Sequence, residues 1–395
     1  MNIAILYPAI EPDATLEDQD TLIQVQAIAD TLRHLGHEPV PMPCGLDLAA
    51  LREALLTLRP PMVFNLAESL DGSDALQYVP PALLDTLGIP YTGNSTEAIF
   101  RTTHKLLAKQ LLDLAGLPTP AWLGTPGGLS RVDRVAREKP RHCVTGIPVA
   151  YQEQGSPTPP STSPGGRGTE HPRAWNGNPP DAVQGLFGCS ANNPATKEQL
   201  EPPCILKAVW EHASRGIDDR NVLMEGDAAL VRERLREFTA RMGRPCFAEQ
   251  FIEGREFNLA MLDGPDGPQV LPPGEIDFST FPPGKPRIVG HRAKWHADSF
   301  EYDNTPRYFH FPPEDRPLLD RLRQLALDCW RLFSLRGYAR VDFRVDRQGQ
   351  PWILEVNTNP CLSPDAGIAA ALAEAGVPYT AAIQRILEAS KAESK

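Results

Sequence analysis

Two segments near the C-terminus, Gly337–Val345 and Trp352–Asn357, alternate apolar and polar residues along their length. This period of two is typical of strands that bury one face. The intervening Asp346–Gln350 has the composition of a turn, so the segments are predicted to form an antiparallel hairpin with a four-residue loop from Arg347 to Gln350. Because a register shift of one residue would exchange the two faces, the pattern restricts the chain to folds in which a sheet buries this hairpin.

The predicted register gives the hairpin one apolar and one polar face. The cross-strand pairs predicted on the apolar face are Val345–Trp352, Phe343–Leu354 and Val341–Val356. Those predicted on the polar face are Asp342–Glu355 and Arg340–Asn357. Two carboxylates and an amide oxygen at strand spacing suit a hard cation such as Mg²⁺, and an adjacent guanidinium indicates a phosphate or oxyanion. A charged sheet face in water is the alternative, but Pro351 and the following Thr358-Asn359-Pro360 favour a site.

Composition restricts the class of protein further. A chain of 395 residues has room for two or three domains. Its formal net charge of −11 weighs against a nucleic-acid partner or an anionic membrane surface. The segment Met1–Leu6 resembles a first strand rather than a signal peptide, and no apolar run is long enough to span a bilayer. Seven scattered cysteines without a CxxC pair indicate reduced thiols, so a cytoplasmic location is expected.

The first 93 residues alternate between strand and helix patterns. Strands are predicted at Ile3–Leu6 and Pro61–Leu66, with helices at Asp20–Leu35 and Ala82–Leu87 and an extended piece at Ile89–Thr92. This β–α–β order predicts a small doubly wound parallel sheet, whose strand ends are where ligands collect.

The remaining chain contains one long interruption. Residues 140–200 hold ten prolines and eight glycines without a period, which predicts a disordered insertion. A partner-binding arm is the alternative interpretation of this insertion. The strands predicted outside it are Cys204–Lys207, Phe247–Ile252 and Glu256–Leu262. The predicted helices are Thr103–Ala115, Pro317–Leu332, Gly367–Ala375 and Tyr379–Ala389.

Three lysines are candidates for binding an anion. Lys207 ends an apolar strand and precedes Glu211–Ile217, a small-residue loop whose N–H groups could approach a phosphate. Lys105 lies in the first turn of its predicted helix, where a cation does not complement the helix dipole. Lys294 lies in an irregular polar segment that could fold over a polyphosphate. For each of them, a solvated surface lysine is the alternative.

Two carboxylates are candidates for contacting a nucleoside. Glu249 precedes Gln250, Phe251 and Ile252, a combination of acceptor and apolar surface that suits adenine. Glu256 could accept hydrogen bonds from ribose hydroxyls, although ordinary edge-strand carboxylates would have the same spacing. The sequence has no GxGxxG, P-loop, Cys/His metal set, GxSxG or HExxH motif, so those reaction classes lack support.

Several motifs together resemble the D-alanine–D-alanine ligase branch of the ATP-grasp superfamily. They are Gly88–Gly93, His104–Leu112, Ala115–Pro120, Glu253–Phe257, Arg340–Asp342 and Leu354–Pro360. The resemblance covers the chain outside 140–200. It implies an α/β and α+β architecture, with a Rossmann-like N-terminal domain (1–93) followed by a two-lobed ATP-grasp fold with a central lobe (94–248) and a C-terminal lobe (249–395).

The resemblance also implies a role for each candidate residue. Lys105 and Lys207 would contact the ATP phosphates and Lys294 the γ-phosphate. Glu249, Gln250, Phe251 and Ile252 would hold adenine, and Glu256 the ribose. Two Mg²⁺ ions, with Mn²⁺ as an alternative, would bind Asp342, Glu355 and Asn357. Arg340 would steady an acyl-phosphate and an oxyanion, and Glu17 would receive the ammonium group of the first substrate.

The chain departs from the family pattern mainly where substrates would bind. Ala213 and Ser214 stand in place of paired serines, and Trp295 replaces a tyrosine. Cys361 replaces a glycine and Ala366 a serine. Asn65–Glu68 and Asp71-Gly72 occupy the place of a His-Gly segment. Glu68 is a further candidate to meet a cationic group, with helix capping or solvent exposure as the alternative.

The resulting hypothesis is an ATP-dependent carboxylate–amine ligase that joins amino-acid-like substrates through an acyl-phosphate. One alternative is a genuine D-alanine–D-alanine ligase with unusual pocket residues. Another is a nucleotide-binding scaffold without ligase activity. The expected partners are small molecules rather than nucleic acid or membrane, and family analogy suggests a homodimer.

Overall fold

The computed structural model describes residues 1–10, 16–124, 200–212 and 214–390, with the side chains of Glu17 and Asp18 left outside this description. The insertion predicted at 140–200 therefore lies outside the described residues, except for Leu200.

The N-terminal sheet has three parallel strands in the order β2-β1-β3. The strands are β1 (Asn2–Pro8), β2 (Glu38–Cys44) and β3 (Met62–Asn65). The helices are α1 (Leu16–His34), α2 (Leu48–Leu58) and α3 (Val79–Leu87). The predicted parallel sheet is confirmed, but β2 and α2 were not predicted. The sequence of β2 is atypical of a strand because it contains Pro39, Pro41 and Pro43. The strand tolerates three residues without N–H groups because it lies at the sheet edge.

The second sheet is antiparallel, with the strand order β4-β7-β5-β6. Its strands are β4 (Trp122–Gly124), β5 (Cys204–Ala208), β6 (Val222–Leu223) and β7 (Cys246–Gln250). The helices described in this part of the chain are α4 (Thr96–Thr103), α5 (Lys105–Leu114) and α6 (Ala228–Met242).

The helix predicted at Thr103–Ala115 begins later than expected. His104 leaves the helical conformation, and its Nδ1 accepts a hydrogen bond from the N–H of Leu107 at 3.0 Å. This side chain caps α5, because it satisfies an N–H group that has no partner within the helix. Lys105 is thereby the first residue of α5, as its predicted position in a first turn requires.

The third sheet has the strand order β11-β10-β8-β12-β13, and β9 pairs with β8. Its strands are β8 (Gly254–Leu262), β9 (Gln269–Val270), β10 (Gly274–Ile276), β11 (Arg307–Tyr308), β12 (Tyr338–Asp346) and β13 (Pro351–Asn357). The helices are α7 (His291–Trp295), α8 (Phe300–Asp303), α9 (Arg316–Leu332), α10 (Gly367–Glu374) and α11 (Tyr379–Ala389). The amphipathic α9 buries Leu322, Leu325 and Cys329 against the apolar face of this sheet.

The β12–β13 hairpin has the predicted loop but only part of the predicted register. Arg340–Asn357, Val341–Val356 and Asp342–Glu355 pair as expected. Beyond Asp342 the register shifts, so that Phe343 pairs with Ile353 and Val345 with Pro351. The predicted pairs Phe343–Leu354 and Val345–Trp352 are therefore wrong. Leu354 is the extra residue of a β-bulge, and bulges of this kind redirect side chains beside functional sites.

Among the described helices, none is long and apolar enough to cross a membrane.

Candidate active site

A cavity of about 520 Å³ is lined by residues from all three sheets. Most of the candidate site residues from the sequence line this cavity; Ala213 and the side chain of Glu17 lie outside the described residues. The cavity-lining candidates are Lys105, Lys207, Ser214, Glu249, Gln250, Phe251, Ile252, Glu256, Lys294, Trp295, Arg340, Asp342, Glu355, Asn357, Glu68, Cys361 and Ala366. The side chain of Glu17 lies outside the described residues, so its predicted contact with an ammonium group stays a prediction.

The polar face of the hairpin forms one wall of the cavity. Asp342 accepts hydrogen bonds from Nδ2 of Asn357 at 3.1 Å and from Nδ2 of Asn258 at 2.8 Å. Nδ2 of Asn357 also approaches Oε1 of Glu355 at 3.4 Å. Among the described residues, no three His, Cys, Asp or Glu side chains form a metal-binding group. Two carboxylates and an amide oxygen are nevertheless a donor set that suits Mg²⁺ or Mn²⁺, which keep several waters or phosphate oxygens as ligands.

Arg340 forms a two-point ion pair with the carboxylate on its own strand. Its Nε and Nη2 donate to Oδ1 and Oδ2 of Asp342 at 2.7 and 2.8 Å. Residues two apart on a strand share a face, so this contact follows from the strand itself. Although burial acts to lower the pKa of Arg340, Asp342 and then Glu355 outweigh it and keep the guanidinium charged.

The charges of the three predicted lysines all act on Glu355. Nζ of Lys105 donates to the backbone oxygen of Glu211 at 2.6 Å and lies 3.5 Å from Oε2 of Glu355. Burial would raise the pKa of Glu355, but Lys105, Lys294 and Lys207 contribute to holding it well below its usual range. Within the described part of the chain, Lys294 has no hydrogen-bond or ion-pair partner, and burial lowers its pKa. This concentration of positive charge suits a polyphosphate.

The carboxylate of Glu249 is already paired on both sides. Lys207 contacts its Oε2 at 2.5 Å, and Lys109 forms an ion pair with its Oε1. Burial opposes ionisation of Glu249, but these two ammonium groups outweigh it and lower the pKa of the carboxyl. Lys109 also donates to Oγ1 of Thr119 at 2.8 Å. Lys109 was not predicted as a site residue, although it lies one helical turn beyond Lys105 and therefore on the same face of α5.

Glu256 is also paired, with an arginine that was not predicted as a site residue. Oε2 of Glu256 lies 2.9 Å from Nη2 of Arg344, and the two residues are cross-strand neighbours. The guanidinium of Arg344 lies near the rings of Phe251 and Phe278 and donates to the backbone oxygens of Gly254 and Arg287. Arg344 follows Asp342 by two residues, and that spacing alone could have placed it in the cavity.

An apolar pocket lies beside these charges. Phe251 packs with Ile205, Val222 and Ile288 in one buried cluster. Leu354, displaced by the bulge, lines the same cavity rather than packing under the sheet as predicted. Apolar walls next to the polar groups of Glu249 and Gln250 form a pocket of the kind that binds a planar base.

Two carboxylates form an acidic end of the cavity. Asp20 accepts hydrogen bonds from Sγ of Cys361 at 3.2 Å and from Oγ of Ser363 at 2.9 Å. Glu68 accepts a bond from Nε2 of Gln24 at 3.3 Å. Burial raises the pKa of Glu68 to about 7, and Asp20 contributes to the rise. Asp20 was missed in the sequence, although it lies one helical turn before the buried Gln24 on α1.

Ser214 connects the loop after β5 to the segment that carries Lys294. It has a positive φ of 59°, and its Oγ donates to the backbone oxygen of Val289 at 2.8 Å. The N–H of His291 donates to the backbone oxygen of Ile217 at 3.0 Å in the same region. These contacts hold Lys294 and Trp295 over the cavity.

Comparison with known proteins identifies the family. Residues 189–388, just over half of the chain, match the family model described as D-ala D-ala ligase C-terminus. A D-alanine–D-alanine ligase of Methylococcus capsulatus is 27% identical over 382 residues, covering 95% of this chain and 92% of the relative. The corresponding ligase of Marinomonas sp. is 25% identical, covering 98% and 94%. An uncharacterized protein of Sinorhizobium fredii, y4sG, is 25% identical, covering 92% and 85%.

Solved structures support the same fold. The D-alanine–D-alanine ligase of Bacillus anthracis, determined in complex with ATP, has a TM-score of 0.62 at 18% identity, covering 100% of this chain and 98% of that one. The enzyme of Coxiella burnetii has a TM-score of 0.60 at 15% identity, covering 100% and 94%. The predicted fold class, a Rossmann-like domain followed by a two-lobed ATP-grasp fold, is confirmed. The chain therefore belongs to the D-alanine–D-alanine ligase branch of the ATP-grasp superfamily and is an ADP-forming ligase that makes carbon–nitrogen bonds.

Proposed function

We propose that this ligase joins two amino-acid-like substrates by an amide bond, through an acyl-phosphate intermediate. The observation that carries the proposal is a single cavity that combines a carboxylate–amide face, three lysines and a separate acidic end. Phosphoryl transfer needs positioning and charge neutralisation rather than a protein nucleophile, and these residues supply both.

In the first proposed step, an oxygen of the first substrate's carboxylate attacks the γ-phosphorus of ATP, and the bond to the β–γ bridging oxygen breaks to release ADP. Lys105, Lys207 and Lys294 neutralise phosphate oxygens. In the second step, the amine of the second substrate attacks the acyl carbon, inorganic phosphate leaves and the nitrogen loses a proton. Arg340 stabilises the tetrahedral oxyanion that exists after the amine attacks and before phosphate leaves.

Divalent cations are expected to take part. Asp342, Glu355 and Asn357 would hold two Mg²⁺ ions, or Mn²⁺ in their place, because they supply hard oxygen donors. A bound cation neutralises charge on the phosphates of ATP. For the nucleotide, the apolar cluster around Phe251 would hold adenine beside Glu249, Gln250 and Ile252. Glu256, kept in place by Arg344, would reach the ribose.

The proposed first substrate has a cationic group. Asp20 and Glu68 form the acidic end of the cavity. Burial removes water from these carboxylates, and an ammonium group of the substrate would take the place of that water as their partner. Glu17 remains a proposed contributor. Because Trp295, Cys361 and Ala366 also line the cavity where the family pattern has other residues, we propose that the substrates differ from two D-alanines.

D-alanyl-D-alanine formation is the second candidate function, and the names of the curated relatives favour it. The alternative of a scaffold without ligase activity loses its basis, because the chain belongs to a family of ligases. A cytoplasmic, homodimeric enzyme is the proposed setting.

ADP release in the presence of ATP, Mg²⁺ and a panel of L- and D-amino acids, amines and short peptides tests the proposal. We expect turnover with at least one pair other than two D-alanines. Turnover with D-alanine alone would establish the second candidate instead. Asp342→Ala serves as the negative control and should abolish release.

A further inference from the structure

A tight turn in the N-terminal domain joins two carboxylates that line the cavity. Glu68 precedes this turn and Asp74 follows it. The N–H groups of Leu70 and Ser73 donate to each other's backbone oxygens at 3.1 and 3.0 Å. The two residues between them have positive φ angles of 51° and 67°, as in a type I′ turn. Because Leu70 is fully buried in the core of this domain, the turn is fixed to the domain.

Asp74 contacts the loop that follows β5, Glu211–Ile217, here named the phosphate loop. Its Oδ2 accepts a hydrogen bond from the N–H of His212 at 2.7 Å, and Nη1 of Arg215 lies 3.4 Å from its Oδ1. The same Nη1 lies 3.5 Å from the backbone oxygen of Gly72 in the turn. Asp74 is only 3% exposed, so little water is available to replace a lost partner. The turn therefore holds the phosphate loop at two of its residues.

The phosphate loop uses two of its own N–H groups internally. The N–H of Arg215 donates to the backbone oxygen of His212 at 3.1 Å, and the N–H of Ile217 donates to that of Ser214 at 3.0 Å. Within the described residues the N–H of Ser214 has no partner, and Ser214 lines the cavity with a φ of 59°. A backbone N–H without a protein partner in such a loop is suited to an anion. Holding His212 by its N–H thus fixes a donor two residues further along the chain.

A carboxylate beside a polyphosphate site is unfavourable by itself, because like charges repel. Arg215 offsets the charge of Asp74 at Oδ1 and leaves Oδ2 to hold the N–H of His212. On the opposite flank of the loop, Nζ of Lys105 donates to the backbone oxygen of Glu211 at 2.6 Å. The phosphate loop is thus fixed from the N-terminal domain by Asp74 and from α5 by Lys105.

We propose that Asp74 is a positioning residue for phosphoryl transfer. It holds the phosphate loop at a fixed distance from Glu68, where the ammonium group of the first substrate would bind. This role rests on the proposed function and acts through the backbone of His212. The distance matters because a misplacement of the reacting groups by about 1 Å can cost about 10²-fold in rate.

Two readouts separate positioning from folding. Hydroxylamine traps an acyl-phosphate as a hydroxamate, so hydroxamate formation from ATP, Mg²⁺ and each amino acid of the panel reports the first step without a second substrate. Equilibrium dialysis with ATP and Mg²⁺ reports nucleotide binding without any amino acid. Thermal unfolding of each variant verifies that it is folded.

Asp74→Ala should lower kcat for hydroxamate formation about 10²-fold and weaken ATP binding about tenfold. Asp74→Asn should recover most of the loss, because its amide oxygen still accepts the N–H of His212. Asp47→Ala is the matched control. It removes a carboxylate that accepts the N–H of Ala50 at 2.9 Å, at the start of α2 in the same domain, and should match the wild type in both readouts.

A second pair of variants changes the turn and leaves both carboxylates in place. Gly72→Val puts a β-branched residue at a φ of 67° with open space around its Cβ, so it strains the backbone without a clash. Asparagine tolerates this φ much better. We therefore expect Gly72→Val to lower kcat about tenfold and Gly72→Asn to lower it much less.

Each outcome decides one point. If folded Asp74→Ala matches Asp47→Ala in both readouts, or Asp74→Asn falls as far as Asp74→Ala, Asp74 does not position the loop although the ligase function stands. If Asp74→Ala does not fold, equal kcat values for Gly72→Val and the wild type would reject the role. If the wild-type enzyme binds ATP but forms no hydroxamate with any amino acid, the proposed function fails. ATP binding by Asp74→Ala and its control then decides whether Asp74 holds the loop.

Discussion

Lys109 on α5 and Glu249 on β7 form an ion pair in which both side chains are almost completely buried, at 2% and 1% exposure. A buried charge that loses its partner is strongly destabilising, typically by about 3–5 kcal/mol. The pair also orients the oxygen atoms of Glu249, whose other side contacts Lys207 at 2.5 Å. Lys109 is therefore a positioning residue for the base pocket.

Lys109→Met should lower the free energy of unfolding by about 3–5 kcal/mol and raise the KM for ATP. Urea denaturation followed by circular dichroism measures the first effect, and ADP release the second. Arg234→Met is the control, because Arg234 pairs with Glu237 on the surface of α6, where both side chains are about half-exposed, and its loss should cost much less. The double variant Lys109→Met/Glu249→Leu should regain only part of the lost stability, because Lys207 then loses its partner, and it should not regain ATP affinity. Equal destabilisation by the two single substitutions would contradict the role of Lys109.

Removing one carboxylate from the polar face of the hairpin should disable phosphoryl transfer. Glu355→Gln and Asp342→Asn are each expected to reduce ADP release about 10²-fold or more, because the charge that would hold the cations is halved. Mn²⁺ binding in the presence of ATP can be followed by the electron paramagnetic resonance signal of Mn²⁺. Both variants should bind Mn²⁺ more weakly than the wild-type enzyme does. Asp320→Asn, on the exposed face of α9, supplies the control. Undiminished Mn²⁺ binding in both variants would show that the cations bind elsewhere.

Ser214→Ala should loosen the segment around Val289 and Lys294. The hydrogen bond it removes is worth about 1 kcal/mol, so amide hydrogen exchange in this segment should accelerate about fivefold. The KM for ATP should rise, since Lys294 would spend less time over the cavity. Ser279→Ala, which alters an exposed turn, is the comparison. Exchange as slow as in the wild type would mean that other contacts hold the segment.

Glu68 should make stability depend on pH. Its pKa rises from a usual 4.5 to about 7 in the folded chain, so the folded state binds the proton more tightly than the unfolded state. The neutral carboxyl is favoured on folding, and this stabilisation is lost as the pH rises from about 4.5 through 7. Glu68→Gln should therefore be more stable than the wild type at pH 8, by up to about 3 kcal/mol, and nearly equal to it at pH 4.5.

Urea unfolding at several pH values measures this difference, with Glu388→Gln on the exposed face of α11 as control. A difference that does not vary with pH would show that Glu68 is not the group responsible. The KM for the first substrate should fall over the same pH range, because only the ionised carboxylate attracts an ammonium group.

Much of the cavity could be predicted from local patterns. The alternation in β12 and β13 placed Arg340, Asp342, Glu355 and Asn357 on one face, and the structure brings all four to the cavity. The same alternation contained Arg344, which was not predicted as a site residue. Its partner Glu256 lies on β8, a neighbour of β12 in the sheet but far from it in the sequence. The bulge at Leu354 could not be read from the sequence, because an apolar residue suits either the core or an apolar pocket.

The sequence by itself determined which side chains share a strand face or a helix face, because the periods of extended and helical backbone are local properties. The polar face of the hairpin and the relation of Lys105 to Lys109 follow from those periods alone. Only the tertiary structure decided which charges meet. Lys109 reaches Glu249, Asp20 approaches Cys361, and Asp74 reaches His212. These contacts join segments far apart in the chain, so they depend on strand order and packing, which no local period encodes.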